Sequence, residues 1–482
     1  MKIGEIFTLN KTQHELDFVD VDIEKDKSVF IDPFFLSTRN QPWCLDASRT
    51  VKSFFQIAID LIKNSKTEEA RSLFSHLHEP NETCLGLSVG TPKGRGVGDD
   101  DSKRIFDSIL QSKAVQSGLV DDLEDTAIFI EGIDRDKVSD MTTNIIRKHL
   151  IDYTTSQCNL WNIPLTPNVP TGFFWNSAKA IWDNEYADRL VIEDRPLLLV
   201  PKIAVSYWKE YTNQKYYQHD ILNFLKGEHL KNRSGLVRER TLKDGTKHYY
   251  VTKNDIAERD APYSKQFLRE FTLKHPDIFE NFKEKSSKTV APVTNNALEE
   301  INLGNLIDYL IKNLNEISPG PTNASTYHKL AIGILELIFY PGLNNPIKER
   351  EINEGRKRID ITFDNSASDG YFLRLSSVHQ IPSRYIFVEC KNYTSDTENP
   401  EVDQLSGRFS VNTGKFGILM CRKIENRKLL IARCIDLWKQ KNELIIPLSD
   451  LEVIEILKAI KEKKPRPEEE TLNNLQREVI LS

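Results

Sequence analysis

The chain has 482 residues, of which 39% are hydrophobic and 28% charged, and a formal net charge of −6. That length exceeds one ordinary domain and allows a large core without covalent staples. The acidic balance excludes a surface that attracts polyanions everywhere, so any nucleic-acid contact must come from local basic patches.

The N-terminal stretch MKIGEIFTLNKTQHELDF lacks the apolar core of a secretory signal, and no later run approaches ~18–20 apolar residues. A cytoplasmic protein without a membrane partner is expected. Over 15–36, period-two alternation puts Val19, Val21 and Ile23 on one face and predicts two strands joined by the EKDK turn. Val51, Phe54, Phe55, Ala58, Leu61 and Ile62 recur at helical spacing and predict a helix over 47–64. Gly90, Gly94, Gly96 and Gly98 follow, with Lys93 and Arg95 among them. They do not form a Walker loop and read as a surface loop. A helix should begin near Asp100 and Asp101.

A strand over Thr126–Glu131 is predicted to lead into the helical DKVSDMTTNIIRKHLIDYTTSQ. There Asp136, Asp140 and Asn144 share a face. Together with Asp32 they make either a second metal or polar site or an N-capped, solvated face. The aromatic-rich segment 172–216 reads as core. Residues 226–253 hold eight Lys or Arg against three acids and predict a hairpin turning on Asp244-Gly245. Arg238, Arg240, Lys243 and Lys247 are its candidate nucleic-acid contacts, an ordinary exposed hairpin being the alternative. The six cysteines, at 44, 84, 158, 390, 421 and 434, are too dispersed for a CxxC site and are expected as reduced thiols.

These patterns give an α/β protein in four parts. Residues 1–281 form an N-terminal α+β recognition or regulatory region and 282–298 a polar linker. Residues 299–462 form an α/β domain with a mixed sheet flanked by helices, and 463–482 a charged tail.

The chemistry concentrates in that third part. The strand IDITF carries Asp360 just after the basic run Arg356, Lys357 and Arg358, and YIFVECKNY carries Glu389 and Lys391 two residues apart on one face. If the strands pair, the two carboxylates repel unless a proton or a cation lies between them. Oxygen donors suit Mg²⁺, with Mn²⁺ as a substitute, rather than Zn²⁺. An ammonium beside such a site can orient water and neutralise charge on a reacting phosphate. The bland alternative is a salt-bridged pair that guards an edge strand.

The order Asp360, then Glu389-x-Lys391, resembles the PD-(D/E)xK nucleases, whose fold is restriction-endonuclease-like. The elements of that fold can be laid on residues 325–420. The resemblance implies a further acid on the preceding helix, where Glu336 stands, and a polar residue on the following helix, where Gln404 stands. It implies a metal held by Glu336, Asp360, Glu389 and the Cys390 carbonyl, with Asp360, Glu389, Lys391 and Gln404 serving catalysis and Arg356, Lys357 and Arg358 touching nucleic acid. The implied activity is endonucleolytic cleavage of DNA, with RNA possible, in prokaryotic antiphage defence or restriction. A homo-oligomer or a partner protein of the same system is implied as well. The competing readings are a catalytically inactive nucleic-acid-binding sensor or adaptor on the same fold, and an RNA-directed nuclease. A third places catalysis on the aspartates of residues 1–281.

Overall fold

The computed structural model describes residues 1–86, 99–348, 361–395 and 399–481. The N-terminal part is mainly helical. Helix α1 (Pro42–Lys63) buries the stripe Val51, Phe54, Phe55, Ala58 and Ile62. Helix α2 spans Asp99–Leu110. Helix α3 (Arg135–Ile145) starts where the Asp134 carboxylate accepts from Lys137 N, and α4 (Arg147–Trp161) ends at Asn162 in a left-handed conformation. Between α4 and residue 251 lie small antiparallel strand groups and a continuous helical stretch over residues 213–231, followed by the expected hairpin Arg238–Thr241 with Lys247–Tyr250. Gly245 closes that turn at φ +81, a conformation open to glycine.

The C-terminal part is built on a mixed sheet, as its alternation of helices and strands predicts. Helices α5 (Pro276–Thr289), α6 (Leu303–Glu316) and α7 (Ala324–Phe339) precede it. Strands β1 (Leu343–Ile347), β2 (Ile361–Asn365) and β3 (Tyr385–Lys391) run antiparallel in that order. β4 (Phe416–Cys421) and β5 (Leu444–Ser449) continue it in parallel with β3, completing the five-stranded order β1-β2-β3-β4-β5. Every residue of β4 and β5 is buried, as parallel strands covered on both faces require. Helices α8 (Gly370–Ser377), α9 (Asn399–Ser406), α10 (Arg427–Lys441), α11 (Asp450–Lys461) and α12 (Pro467–Ile480) complete the layers. Lys391 aligns with Cys421, and Cys421 with Ser449, so β3, β4 and β5 end at one carboxyl edge.

Several elements differ from expectation. Residues 15–36 form no hairpin. Residues 15–29 are irregular chain with buried apolar side chains, where the Asp20 carboxylate accepts from Gly4 N and Asp20 N donates to Gln13; Phe30–Ile31 pairs with Val205–Ser206 and Pro33–Ser37 is a short helix. The apolar run at 126–131 is largely a short helix, Asp125–Phe129, held by the Asp125 carboxylate, which accepts from Asp121 N, Asp122 N, Lys283 and Tyr211. The supposed linker 282–298 is the end of α5 plus the helical turn Asn295–Leu298, with Phe282, Val293 and Leu298 buried. The supposed tail is α12, which turns Leu472, Leu475 and Val479 onto α10, α11 and β5. In both segments a sparse apolar stripe was enough to dock a helix.

The two parts share one core. Asn345 N of β1 donates to Asp17 at 2.9 Å, Tyr153 of α4 donates its hydroxyl to the same carboxylate at 2.5 Å, and Gln157 donates to the Pro346 carbonyl. Beside them Asn345 Nδ2 donates to Asp364 at 3.0 Å. Burial, with Asp17 nearby, pushes the Asp364 carboxyl up to about 7. As the pH rises past the usual carboxyl value, the unfolded chain releases this proton while the folded chain keeps it. Stability therefore falls from pH ~4 to about 7 and levels off above. Asp364→Asn removes this loss, so its melting temperature should exceed that of the wild type at pH 7.5, with the gap narrowing at pH 5. A gap that is the same at both pH values would refute the assignment.

Candidate active site

β3 lies in the centre of the sheet, between β2 and β4, so Glu389 and Lys391 do not guard an edge. Period-two geometry sends both side chains to the same face while Val388 and Cys390 go to the other. Glu389 is fully buried and Lys391 is 12% exposed, and Lys391 Nζ donates to Glu389 Oε1 at 2.6 Å. A strand this apolar ends on an ion pair because it stops at the carboxyl edge of the parallel strands, the usual place for ligands in such sheets. Tyr393 continues the edge: the Lys391 ammonium lies 5.7 Å from its ring centroid, and its hydroxyl donates to Glu401 at 3.3 Å.

Helix α7 crosses this edge with His328, not Glu336. His328 Nε2 donates to the Cys390 carbonyl at 3.1 Å. Burial holds its imidazole below the usual value, opposed by that hydrogen bond. Sequence reasoning missed His328, a lone histidine in the second turn of α7 with no spacing relation to the E-x-K strand. The α6–α7 loop is fastened to the same edge. Asn392 Nδ2 donates to the Gly320 carbonyl and Gly320 N to the Asn392 carbonyl, both at 2.7 Å, with Gly320 at φ +123. Arg422, just past β4, donates to the Ile317 carbonyl at 2.7 Å and pairs with Asp450 at 3.2 Å. Tyr327 donates to the same Asp450 at 2.8 Å.

The other expected residues fall as follows. Gln404 is half-buried on α9, which packs on β4 and α10. Glu336 lies eight residues along α7 from His328, ~12 Å of helix rise. Its partner is Lys202 of the N-terminal part: the two are completely buried, with Lys202 Nζ at 3.6 Å from Glu336 Oε2. Burial and the nearby Asp17 push the Glu336 carboxyl well above its ordinary value. The structure therefore gives Glu336 to an internal ion pair, away from the His328 turn. Asp360, with Arg356, Lys357 and Arg358, lies outside the described residues, as does the glycine stretch 90–98. The last described β2–β3 pair at this edge is Ile361 with Val388.

On the basic hairpin, Arg240 and Lys243 are exposed, Arg238 pairs with Asp255 at 2.6 Å and Lys247 with Glu239 at 2.9 Å. Asn144 of α3 is buried and donates to the carbonyls of His78 and Asp140. Asp140 is pushed up to about 9, by burial first and by Asp136, Glu79, Asp134 and Asp26 after it. Asp32 caps Phe35 N and accepts from the Ser206 hydroxyl at 2.6 Å, so it serves local structure.

Among the described residues no group of three or more His, Cys, Asp or Glu side chains is placed to hold a metal ion. The end of β3 offers two hard oxygen donors, the Glu389 carboxylate and the Cys390 carbonyl. That is the donor chemistry of Mg²⁺ or Mn²⁺, and it needs at least one more acid. No helix among the described residues is long and apolar enough to cross a membrane. A family model described as "Domain of unknown function (DUF8370)" matches residues 8–213, a stretch that contains Asp17, Tyr153 and Lys202 and ends before the five-stranded sheet. No curated protein and no solved structure matches the chain.

Proposed function

We propose that this protein is a metal-dependent endonuclease that hydrolyses phosphodiester bonds, on DNA in preference to RNA, with a restriction-endonuclease-like C-terminal domain. One observation carries the reading. A fully buried carboxylate and a nearly buried ammonium sit 2.6 Å apart at the carboxyl end of a central strand. Holding two charges there costs several kcal/mol of desolvation, and unlike the interior Lys202–Glu336 pair these lie at the carboxyl edge of parallel strands, where such sheets take ligands. Asp360, the neighbour of Ile361 in sequence, is the candidate for the second acid.

The chain's own residues divide the work. Glu389 and the Cys390 carbonyl, with Asp360, would hold Mg²⁺ or Mn²⁺, which when bound polarises a phosphate and acidifies water. Lys391 Nζ holds the Glu389 carboxylate in place, and its protons are available to an attacking water and to charge developing on phosphorus. His328 fixes the Cys390 carbonyl through its N–H, so the backbone donor is set before substrate arrives. Gln404 is assigned to orienting water or contacting phosphate. Arg240 and Lys243, exposed on the projecting hairpin, are assigned to backbone phosphates, where they bring affinity without sequence choice. A role in antiphage defence or restriction, with a homo-oligomer or a partner protein, belongs to this proposal.

The test is nicking of supercoiled plasmid with Mg²⁺ or Mn²⁺. The wild type should nick and EDTA should stop it. Lys391→Ala should be slower by about 100-fold or more. Equal rates for Lys391→Ala and wild type would sink the mechanism. Binding in EDTA with no product under either metal would point instead to a non-catalytic nucleic-acid-binding scaffold.

A further inference from the structure

A cleft of about 480 Å³ opens beside α6 and the start of α7, lined from both the N-terminal part and the C-terminal part. Its size falls in the ~300–1,000 Å³ range of small-molecule sites. Residues 7–11 and 161–162 come from one part, and Tyr309, Asn313, Ile317 and Lys329 from the other. Among the described residues no carboxylate lines it, and its charged lining groups are Lys11 and Lys329. In a chain of net charge −6 this is a local reversal of sign.

The two lysines differ. Lys11 is neutralised by Glu15 at 2.7 Å and lies 5.9 Å from the Trp161 ring centroid. An added Cβ at Gly333 would meet Lys11 Nζ at 3.0 Å, so α7 carries a glycine where this ammonium approaches. Lys329 makes no ion pair or hydrogen bond among the described residues. Burial holds its ammonium below the usual range, and the Lys348 and Lys11 charges add to that effect. An unpaired, half-buried cation of this kind gains most from an incoming anion. Tyr309 is 49% exposed beside it, a large ring turned partly to solvent. Unpaired cation, exposed ring, and the amides of Asn10, Asn162 and Asn313 together suit an aromatic anion and disfavour a metal ion or a cationic peptide.

The cleft also touches the candidate active site. Ser325, Thr326 and Lys329 line it, while His328, in the same turn, reaches the Cys390 carbonyl. Ile317 lines it and lends its carbonyl to Arg422 at the sheet edge.

We propose that this cleft binds one nucleotide unit, its base stacked on Tyr309 and its phosphate at Lys329. The choice of a nucleotide over other aromatic anions rests on the nuclease reading; the preference for an aromatic anion does not. The nucleotide comes either from the strand being cut or from free solution.

The test uses the full chain in EDTA with two probes, AMP and 5′-phosphorylated trithymidylate, read by titration calorimetry. Lys329→Ala and Tyr309→Ala should each weaken binding about tenfold, since one base stack or one phosphate contact is at stake. Lys329→Arg should stay within about threefold of wild type, because it keeps the charge. If Lys329→Ala melts early, Lys329→Gln, which keeps most of the stem, is read in its place. Comparable affinity for both probes identifies free nucleotide as the source, and binding of the trinucleotide alone identifies the strand. Failure of both probes to bind below ~1 mM, or affinities that ignore both substitutions, overturns the proposal. Lys391→Ala separates the two claims: intact probe binding together with undiminished plasmid nicking would remove the nuclease mechanism and leave the cleft standing.

Discussion

Lys202→Met should destabilise the fold by about 3–5 kcal/mol, read as a large fall in the denaturant midpoint. Lys202 is completely buried where the two parts of the chain meet. Its ammonium lies 3.6 Å from Glu336, 2.9 Å from Asn295 Oδ1, 3.5 Å from the Gln13 carbonyl and 4.0 Å from the Tyr340 ring centroid. Its field also acts on Asp17, which burial pushes up and Lys202 pulls down. Methionine fills much the same volume, so packing changes little. What changes is that Glu336 and Asp17 lose the cation beside them. Each must then take up a proton or stay charged in the core, and both cost free energy. The partner variant decides whether the loss is electrostatic. Lys202→Met with Glu336→Gln should recover much of it, because a buried pair replaced on both sides is far less costly than one left half-removed. A single variant that unfolds at the wild-type midpoint would refute this account. Glu336→Gln alone carries a second message. A carboxylate serving the ion pair should change stability and leave plasmid nicking within a few fold in conditions where the variant is folded. Abolished nicking in a stably folded variant would return Glu336 to the metal set.

The pairing of Glu336 with Lys202 also marks where sequence reading stops. A glutamate alone among apolar helix neighbours signals an unusual environment, but nothing local says which distant side chain answers it. The E-x-K strand was readable because its information is local: an apolar run gives the strand, and the two-residue spacing gives the shared face. The helices and parallel strands from 400 to 461 were readable for the same reason. Phe129 and Ile130 were not, since a short apolar run fits a buried helical turn as well as a strand, and the deciding group was the Asp125 carboxylate collecting four donors from three segments. The C-terminal helix was hidden by its charges. Leu472, Leu475 and Val479 recur at helical spacing, but Glu468, Glu469 and Glu470 ahead of them read as part of a charged tail rather than as the first turn of a helix, where acids are favoured. His328 escaped because a lone histidine carries no spacing signal; only the fold brings it to the Cys390 carbonyl.

On the proposed nuclease reading, Glu389→Gln should abolish most plasmid nicking while leaving nucleic-acid binding in EDTA nearly intact. The glutamine keeps the volume of a fully buried side chain, and its carbonyl oxygen can still accept from Lys391 Nζ, now 2.6 Å from the carboxylate. Only the negative charge goes. If that carboxylate is a metal ligand, its loss removes both the anion that binds the cation and the field that keeps the Lys391 ammonium in position, and a fall of about 100- to 1,000-fold follows. If instead Glu389 and Lys391 are a structural pair, the same substitution leaves the lysine with a neutral acceptor and a route to solvent through its 12% exposure. The effect would then appear in the melting curve and not in the rate. Raising Mn²⁺ separates these further. A weakened but surviving metal site recovers part of its rate as the cation is increased, whereas a structural defect does not respond. Full activity for Glu389→Gln at low metal would remove the carboxylate from the chemistry and leave the central strand without a reason to bury it.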